Sequence, residues 1–218
     1  MLPVEEEPTS AEAVQEWVRR QTRSHDVFSD VYAASEAHRA EHGCDLYPTG
    51  SGPLFGLLAA ASRPRRILEV GCGLGYSALW LAHGAGAGAT VDTIERDSLH
   101  ADLARRELAR HGAPHRITVH TGDALNVLRT LEPAYDLVFC DSDVDQYPAF
   151  LDEFLRLVPA DGGLIITSNL FLGVYIPDNP WPEQSAEYRR RILEDRRLMT
   201  VFLPSGHALS ITRGSGQD

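Results

Sequence analysis

The chain has 218 residues, 43% of them hydrophobic and 23% charged, which excludes disordered and fibrous classes and suits a single domain spanning residues 1–218. Its formal net charge of -11 opposes a phosphate backbone, and no basic stripe with interleaved aromatics appears, so nucleic acid is not expected as a partner. Cys44, Cys72 and Cys140 lack metal-type spacing or a disulfide pattern, Glu5 to Glu7 stand where a signal peptide needs positive charge, and no run approaches the ~20 apolar residues of a membrane span; a cytoplasmic protein without membrane attachment is expected.

Residues 1–9 and 214–218 read as flexible ends, and residues 10–50 as a helical cap. In the cap, Val14, Trp17 and Val18, then Val27, Val31 and Tyr32, recur at helical spacing and predict two amphipathic helices suited to covering a site or a dimer contact. Gly43 to Pro53 reads as a loop, and Leu54 to Ala61 as a helix leading into the first strand. Short apolar runs then alternate with helical patterns: Ile67 to Val70, a helix from Tyr76, Thr90 to Glu95, a helix from Ser98, Ile117 to Thr121, a helix from Asp123, and Tyr135 to Asp141. A helix over Pro148 to Val158 and a strand over Gly163 to Thr167 follow. This alternation is the signature of parallel βαβ construction. Met199 to Leu203 and Ala208 to Thr212 are separated by only Pro204 to His207, too short for a crossover, so they should pair antiparallel. The expected architecture is α/β, a mostly parallel seven-stranded sheet with a C-terminal hairpin and N-terminal helices.

The strongest chemical signal is Glu69-Val-Gly71-Cys-Gly73-Leu-Gly75-Tyr-Ser77, a glycine-rich turn between the first strand and its helix, where a backbone free of side chains can approach a ligand. A dinucleotide fingerprint would place glycine at Tyr76 and would not ask for an acid two residues before the first glycine, which favours a nucleoside without a pyrophosphate. Glu95, followed by Arg96, ends the second strand, where a carboxylate can accept both hydroxyl protons of a ribose; the blander reading is a solvated acid near a helix start. Asp123, before Ala124, can accept from an adenine amino group or cap the next helix, and both roles can hold together.

These motifs resemble the class I methyltransferases, specifically the small O-methyltransferases of the catechol and caffeoyl-coenzyme A type. ILEVGCGLGYSALWLA, TIERD, GDAL, YDLVFCDSD and GGLIITSN look like that family's successive strand-end motifs, over residues 50 to 213. The resemblance implies a Rossmann-like, doubly wound domain using S-adenosylmethionine. It implies that Glu69, Gly71, Gly73, Tyr76 and Ser77 hold the methionine part, Glu95 and its neighbour Arg96 the ribose, and Asp123 with Ala124 the adenine. Asp141 would lie beside the sulfonium and, with Asn169, on the catalytic side facing a small-molecule acceptor. Family resemblance also points to a homodimer.

The chain departs from the family where metal-dependent members hold a divalent cation with an Asp after the fourth strand and an Asp-Asn pair after the fifth. Here these positions read Asp141, Ser168 and Asn169, and the family's general-base Lys is replaced by Val144 in a chain whose 20 basic residues are all arginine. Mg²⁺ favours hard carboxylate oxygens, so a metal is not expected and no metal ligand is assigned. A phenol of pKa ~10 must still lose its proton, and Asp143, Asp145, His207 and His42 are candidates to receive it, a solvated surface histidine being the blander reading for the last two. The loop Leu170 to Trp181, with Phe171, Tyr175 and two prolines, would set acceptor specificity or simply cover the sheet edge. Arg189 to Arg191 fall among Glu187, Glu194 and Asp195 and read as a salt-laced solvated face. The resulting expectation is an O-methyltransferase acting on a small hydroxylated, aromatic molecule. The competing readings are an N-methyltransferase, a cofactor-binding protein acting by interaction, and, against Tyr76, a nicotinamide oxidoreductase.

Overall fold

A computed structural model of the chain describes residues 9–113, 116–172 and 182–214. Of the flexible ends expected at 1–9 and 214–218, residues 1–8 and 215–218 lie outside the described residues, as does the part of the specificity loop carrying Tyr175 and Trp181. Strands β1 (Arg66–Val70), β2 (Thr90–Glu95), β3 (Ile117–Thr121), β4 (Leu137–Cys140), β5 (Leu164–Thr167), β6 (Leu198–Phe202) and β7 (Ala208–Thr212) form one seven-stranded sheet in the order β3-β2-β1-β4-β5-β7-β6. The first five are mutually parallel, and β7 pairs antiparallel with both β5 and β6, the Rossmann-like arrangement and terminal hairpin that the sequence predicts. β4 is shorter than the run from Tyr135 to Asp141. Asp136 turns its carboxylate back to accept the Arg65 and Arg66 amides at 2.7 and 3.0 Å, ending the strand on one side, and the chain bends away after Cys140 on the other.

Helices α1 (Ala11–Ser24), α2 (Ser29–His42), α3 (Gly52–Ser62), α4 (Tyr76–Ala85), α5 (Ser98–Arg110), α6 (Ala124–Thr130), α7 (Tyr147–Leu157) and α8 (Pro182–Glu194) surround the sheet. Strand residues alternate between two apolar layers, as a sheet covered on both faces requires. Leu68, Val138, Cys140 and Ile165 join Phe150, Phe154 and Ile192 of α7 and α8, whereas Ile67, Leu137, Phe139 and Ile166 join Phe55, Leu81 and Leu108 of α3, α4 and α5. Among the described residues no helix is long and apolar enough to cross a membrane.

α4 is apolar all round because it is a middle layer: every residue from Tyr76 to Ala82 is buried between the sheet and α3. Small residues let the two helices meet. A Cβ on Gly84 would sit 1.9 Å from the Gly56 carbonyl oxygen, and one on Gly56 would sit 2.7 Å from the Trp80 ring. The segment between α1 and α2 is tied to this layer through Asp26, which accepts from the Tyr76 hydroxyl at 2.6 Å and the Trp80 indole N–H at 3.2 Å. Phe28 packs edge-on against Trp80 at 5.3 Å between centroids, so the helical cap is anchored on α4.

The α3–α4 contact makes a direct expectation. Gly84→Ala should lower stability by about 1–3 kcal/mol through overpacking, read as a Tm loss of several degrees in thermal denaturation. Gly88→Ala, whose Cβ would meet nothing within 4 Å, should leave Tm unchanged.

Candidate active site

The parallel strands end together, and the strand order reverses between β1 and β4, so the crevice beyond their carboxyl ends is the ligand position that this topology favours. Backbone bonds hold the strand ends close: the amides of Gly71 and Cys72 donate to the Ile94 carbonyl at 3.0 and 3.2 Å, that of Asp141 to Val70 at 2.9 Å, and that of Ser168 to Cys140 at 2.9 Å. Gly71 takes φ +95, and a Cβ there would lie 2.0 Å from the Asp141 carbonyl oxygen, so only glycine lets β1 and β4 close up at this point. Gly73 takes φ +53 with Leu46 as its neighbour; a Cβ there would be 3.7 Å from the Leu46 Cγ, which places the 43–50 loop over the glycine turn.

Glu69 is completely buried on the α4 face of β1, opposite Thr93 of β2 in register. The Thr93 hydroxyl donates to its Oε2, while Oε1 is buried without a hydrogen-bond partner. Burial raises its pKa to about 8, opposed by the hydroxyls of Ser77 and Thr93 and reinforced by the nearby carboxylates of Asp141 and Glu95. Three acids therefore converge on the turn, an arrangement that favours a cation. Ser77 is buried at the start of α4. Tyr76 is buried too, but its hydroxyl is spent on Asp26, which leaves its backbone N–H in the first turn of α4 as the group it can offer a ligand.

Glu95, at the end of β2, accepts from the Gly73 amide at 2.8 Å through Oε2 and from the Asp97 amide at 2.9 Å through Oε1, so it ties the glycine turn to the start of α5. Arg96 points elsewhere and pairs with Asp143 at 2.6 Å across the strand ends. Asp123 caps α6, accepting the Asn126 amide at 3.0 Å through Oδ1, and Ala124 is the first residue of that helix, packed against the apolar layer. The capping role weighed for Asp123 is therefore realised.

On the other side of the crevice, Asn169 takes φ +61 and donates its amide N–H to Asp141 Oδ1. Burial raises the Asp141 carboxyl to about 6, against the lowering effect of this bond. Ser168 is buried and its hydroxyl has no partner. Of the candidate proton acceptors, Asp143 is held by Arg96 and Asp145 is exposed; Val144, where the family's base lysine would stand, is fully packed in the core. His207 is buried beside Phe55 with Nε2 on the Ser51 hydroxyl at 2.9 Å, and burial lowers its pKa to about 4, so it is a weak base. His42 sits instead against His38, 4.4 Å between ring centroids, on the helical cap. The arginines of α8 are absorbed by structure: Arg190 pairs with Glu194 at 2.5 Å, Arg191 with Asp152 at 2.6 Å, and Arg189 lies 4.8 Å over the Phe171 ring.

Three residues that shape the site carry weak sequence signals. Thr93 could have been found from the strand register, as the partner of a buried acid. Tyr147, buried, clamps the loop after β4 by accepting the Ser142 amide and donating to the Ser142 carbonyl, both at 3.1 Å. Asp26 has no local pattern that marks it, because its partners are 50 and 54 residues away.

Comparison with known proteins places this geometry in a lineage. The profile described as O-methyltransferase matches residues 38–214. The chain belongs to the O-methyltransferase family. A provisionally named O-methyltransferase of Mycobacterium sp. (strain KMS) is 32% identical over 213 residues, covering 95% of this chain and 94% of that one. The catechol O-methyltransferase of Mycobacterium tuberculosis (strain ATCC 25618 / H37Rv) is 40% identical over 123 residues, 56% of each chain. Among solved structures, the Bacillus cereus O-methyltransferase in complex with S-adenosylhomocysteine superposes with a TM-score of 0.75 at 25% identity, covering 92% of this chain and 100% of that one. TomG of Streptomyces achromogenes, an O-methyltransferase of tomaymycin synthesis solved with S-adenosylmethionine, gives 0.71 at 25%, covering 90% and 99%.

The buried carboxyl makes the stability of this family member pH-dependent. Glu69 holds its proton up to about pH 8 in the folded state but only to 4.5 when unfolded, so the folded state binds more protons between these values. Its stabilising contribution is complete below about 4.5 and is lost as pH rises toward 8. The free protein should therefore lose Tm from pH 5 to pH 8, and Glu69→Gln should flatten that slope; an equal slope in the variant would show that other groups set it.

Proposed function

We propose that this chain transfers the methyl group of S-adenosylmethionine to a hydroxyl of a small aromatic acceptor, and does so without a divalent metal. The observation that carries the reading is the convergence of the glycine turn, Glu69, Glu95 and Asp141 at one sheet edge of an O-methyltransferase-family chain. Complexes of the Bacillus cereus and Streptomyces relatives with the cofactor or its product support the donor, and the mycobacterial catechol enzyme supports the acceptor class.

When bound, the donor would supply an electrophilic methyl carbon on a sulfonium, its sulfur–methyl bond breaking in line as the methyl–oxygen bond forms and S-adenosylhomocysteine leaving. The chain's residues supply alignment and charge. Gly71 and Gly73 let the backbone approach, the first-turn amides of Tyr76 and Ser77 face a carboxylate, and Glu69 and Asp141 provide negative charge for the cationic methionine part. Glu95 receives the ribose hydroxyls, with Arg96 fixing its flank through Asp143. Asp123 and Ala124 meet the adenine. On the acceptor side Asp141, held by Asn169, orients the hydroxyl and receives its proton as the methyl–oxygen bond forms. Its raised pKa makes it a stronger base than an ordinary carboxylate.

The donor set does not fit a catalytic Mg²⁺. Asp141 is its one carboxylate, Asn169 presents an amide N–H to that carboxylate, Asp143 is committed to Arg96, and Val144 stands buried where a base lysine would be needed. A homodimer accords with the apolar face of α1, where Val14 and Val18 are 44% and 48% exposed.

Calorimetric titration with S-adenosylhomocysteine in EDTA should show binding that added Mg²⁺ does not strengthen, and Glu95→Ala should weaken it by about ten- to a hundredfold, the loss of charge-assisted hydrogen bonds. With catechol, caffeic acid and simple phenols as acceptors, Asp141→Asn should lower kcat by about a hundredfold or more while changing product affinity far less. Binding that requires Mg²⁺ would overturn the metal-free reading. Binding with no turnover on phenols, acids or amines would leave a cofactor-binding protein that acts by interaction.

A further inference from the structure

We propose that His38, Cys44 and His100 form a binding site for a zinc-class transition-metal ion that fastens the helical cap to the α/β body. His38 comes from the last turns of α2, Cys44 from the loop after it, and His100 from the first turn of α5. One ligand atom from each, two imidazole nitrogens and a thiol sulfur, lies within 4.8 Å of the others, and all three residues are partly buried. A tetrahedral ion with bonds of about 2.0–2.3 Å places neighbouring ligand atoms roughly 3.5 Å apart, so closure by about 1 Å through side-chain rotation completes the set. Imidazole and thiolate donors select zinc and related ions over the hard cations that carboxylates hold.

The surroundings suit a cation. His38 lies edge-on to His100 at 5.1 Å and against His42 at 4.4 Å, a packing that protonated imidazoles would oppose and a shared metal would stabilise. Asp97 caps α5 by accepting the amides of Leu99 and His100 at 2.8 and 3.1 Å, which brings a carboxylate to the same corner. Cys44 is the accessible thiol of the chain: Cys72 and Cys140 are 4% and 0% exposed.

The position gives the ion a structural role. Two residues after Cys44, Leu46 packs on the glycine turn; three residues before His100, the Asp97 amide binds Glu95. An ion here ties both to α2, and the loop over the turn is held by covalent geometry rather than by Leu46 alone. The site stands whether or not the methyl-transfer reading does, because its ligands are distinct from Asp141, Asn169 and Glu95.

The test uses the full chain stripped with EDTA and titrated with Co²⁺, then Zn²⁺. One equivalent of Co²⁺ should give intense tetrahedral visible absorption with a thiolate-to-cobalt charge-transfer band, both bleached by Zn²⁺. Zn²⁺ should raise Tm and protect Cys44, identified by mass spectrometry, from iodoacetamide. Cys44→Ser should abolish the charge-transfer band, and His38→Ala or His100→Ala should weaken Zn²⁺ binding at least tenfold, with circular dichroism confirming the fold. Asp141→Asn should leave the cobalt spectrum unchanged. Absence of the charge-transfer band in the unmodified chain, failure of Zn²⁺ to protect Cys44, or a band that survives in Cys44→Ser would overturn the proposal; the first two need no variant.

Discussion

The carboxyl of Glu69, buried near the end of β1 with the Thr93 hydroxyl on one oxygen and the Ser77 hydroxyl nearby, is the constraint around which the site is organised. A lone carboxyl in such a place is costly to ionise, and two further acids, Asp141 and Glu95, stand near enough to raise the cost. They are forced together by the close approach of the β1 and β4 ends at Gly71, where no side chain fits. The free protein meets this cost by keeping a proton on Glu69. A bound cation would meet it by replacing that proton, so one cost accounts both for the proton on Glu69 and for the cationic ligand proposed for the crevice.

Around this crevice the structure is layered. α4 supplies the first-turn amides facing the site, is itself buried between the sheet and α3, and carries on its outer side the two groups, the Tyr76 hydroxyl and the Trp80 indole, that hold Asp26. Tyr76 therefore links the cofactor turn to the helical cap. The loop leaving that cap returns over the glycine turn through Leu46, and the histidines and cysteine beside it meet α5 just beyond Glu95. Cap and crevice share their boundaries, so the order of one bears on the affinity of the other.

The two halves of the site differ in character. The proposed donor half has glycines, acids and a helix N-terminus at one sheet edge. The acceptor half has one carboxylate, Asp141, held by Asn169, with Ser168 buried and Val144 packed into the core. Asp143 is paired with Arg96 on the opposite rim. The proposed acceptor half therefore rests on one partly buried carboxyl of raised pKa, Asp141.

Much of this was legible in the chain because it depends on local rules. Short apolar runs alternating with helical patterns determined the parallel sheet, the short Pro204–His207 connection determined the antiparallel hairpin, and the spacing of Gly71, Gly73, Glu95, Asp123 and Asp141 at strand ends pointed to the candidate site, since a parallel sheet brings all such ends to one edge. What the sequence could not decide was where side chains go once there. Tyr76 turned to Asp26, Arg96 to Asp143, Asp123 to its own helix, and His207 into the core, each choice set by partners distant in the chain. Cysteine spacing likewise argued against a metal, because Cys44 finds its neighbours not in other cysteines but in His38, six residues back, and His100 on another helix. Periodicity and turn chemistry act over a few residues and survive in one dimension; the pairing of polar groups is settled by packing in three.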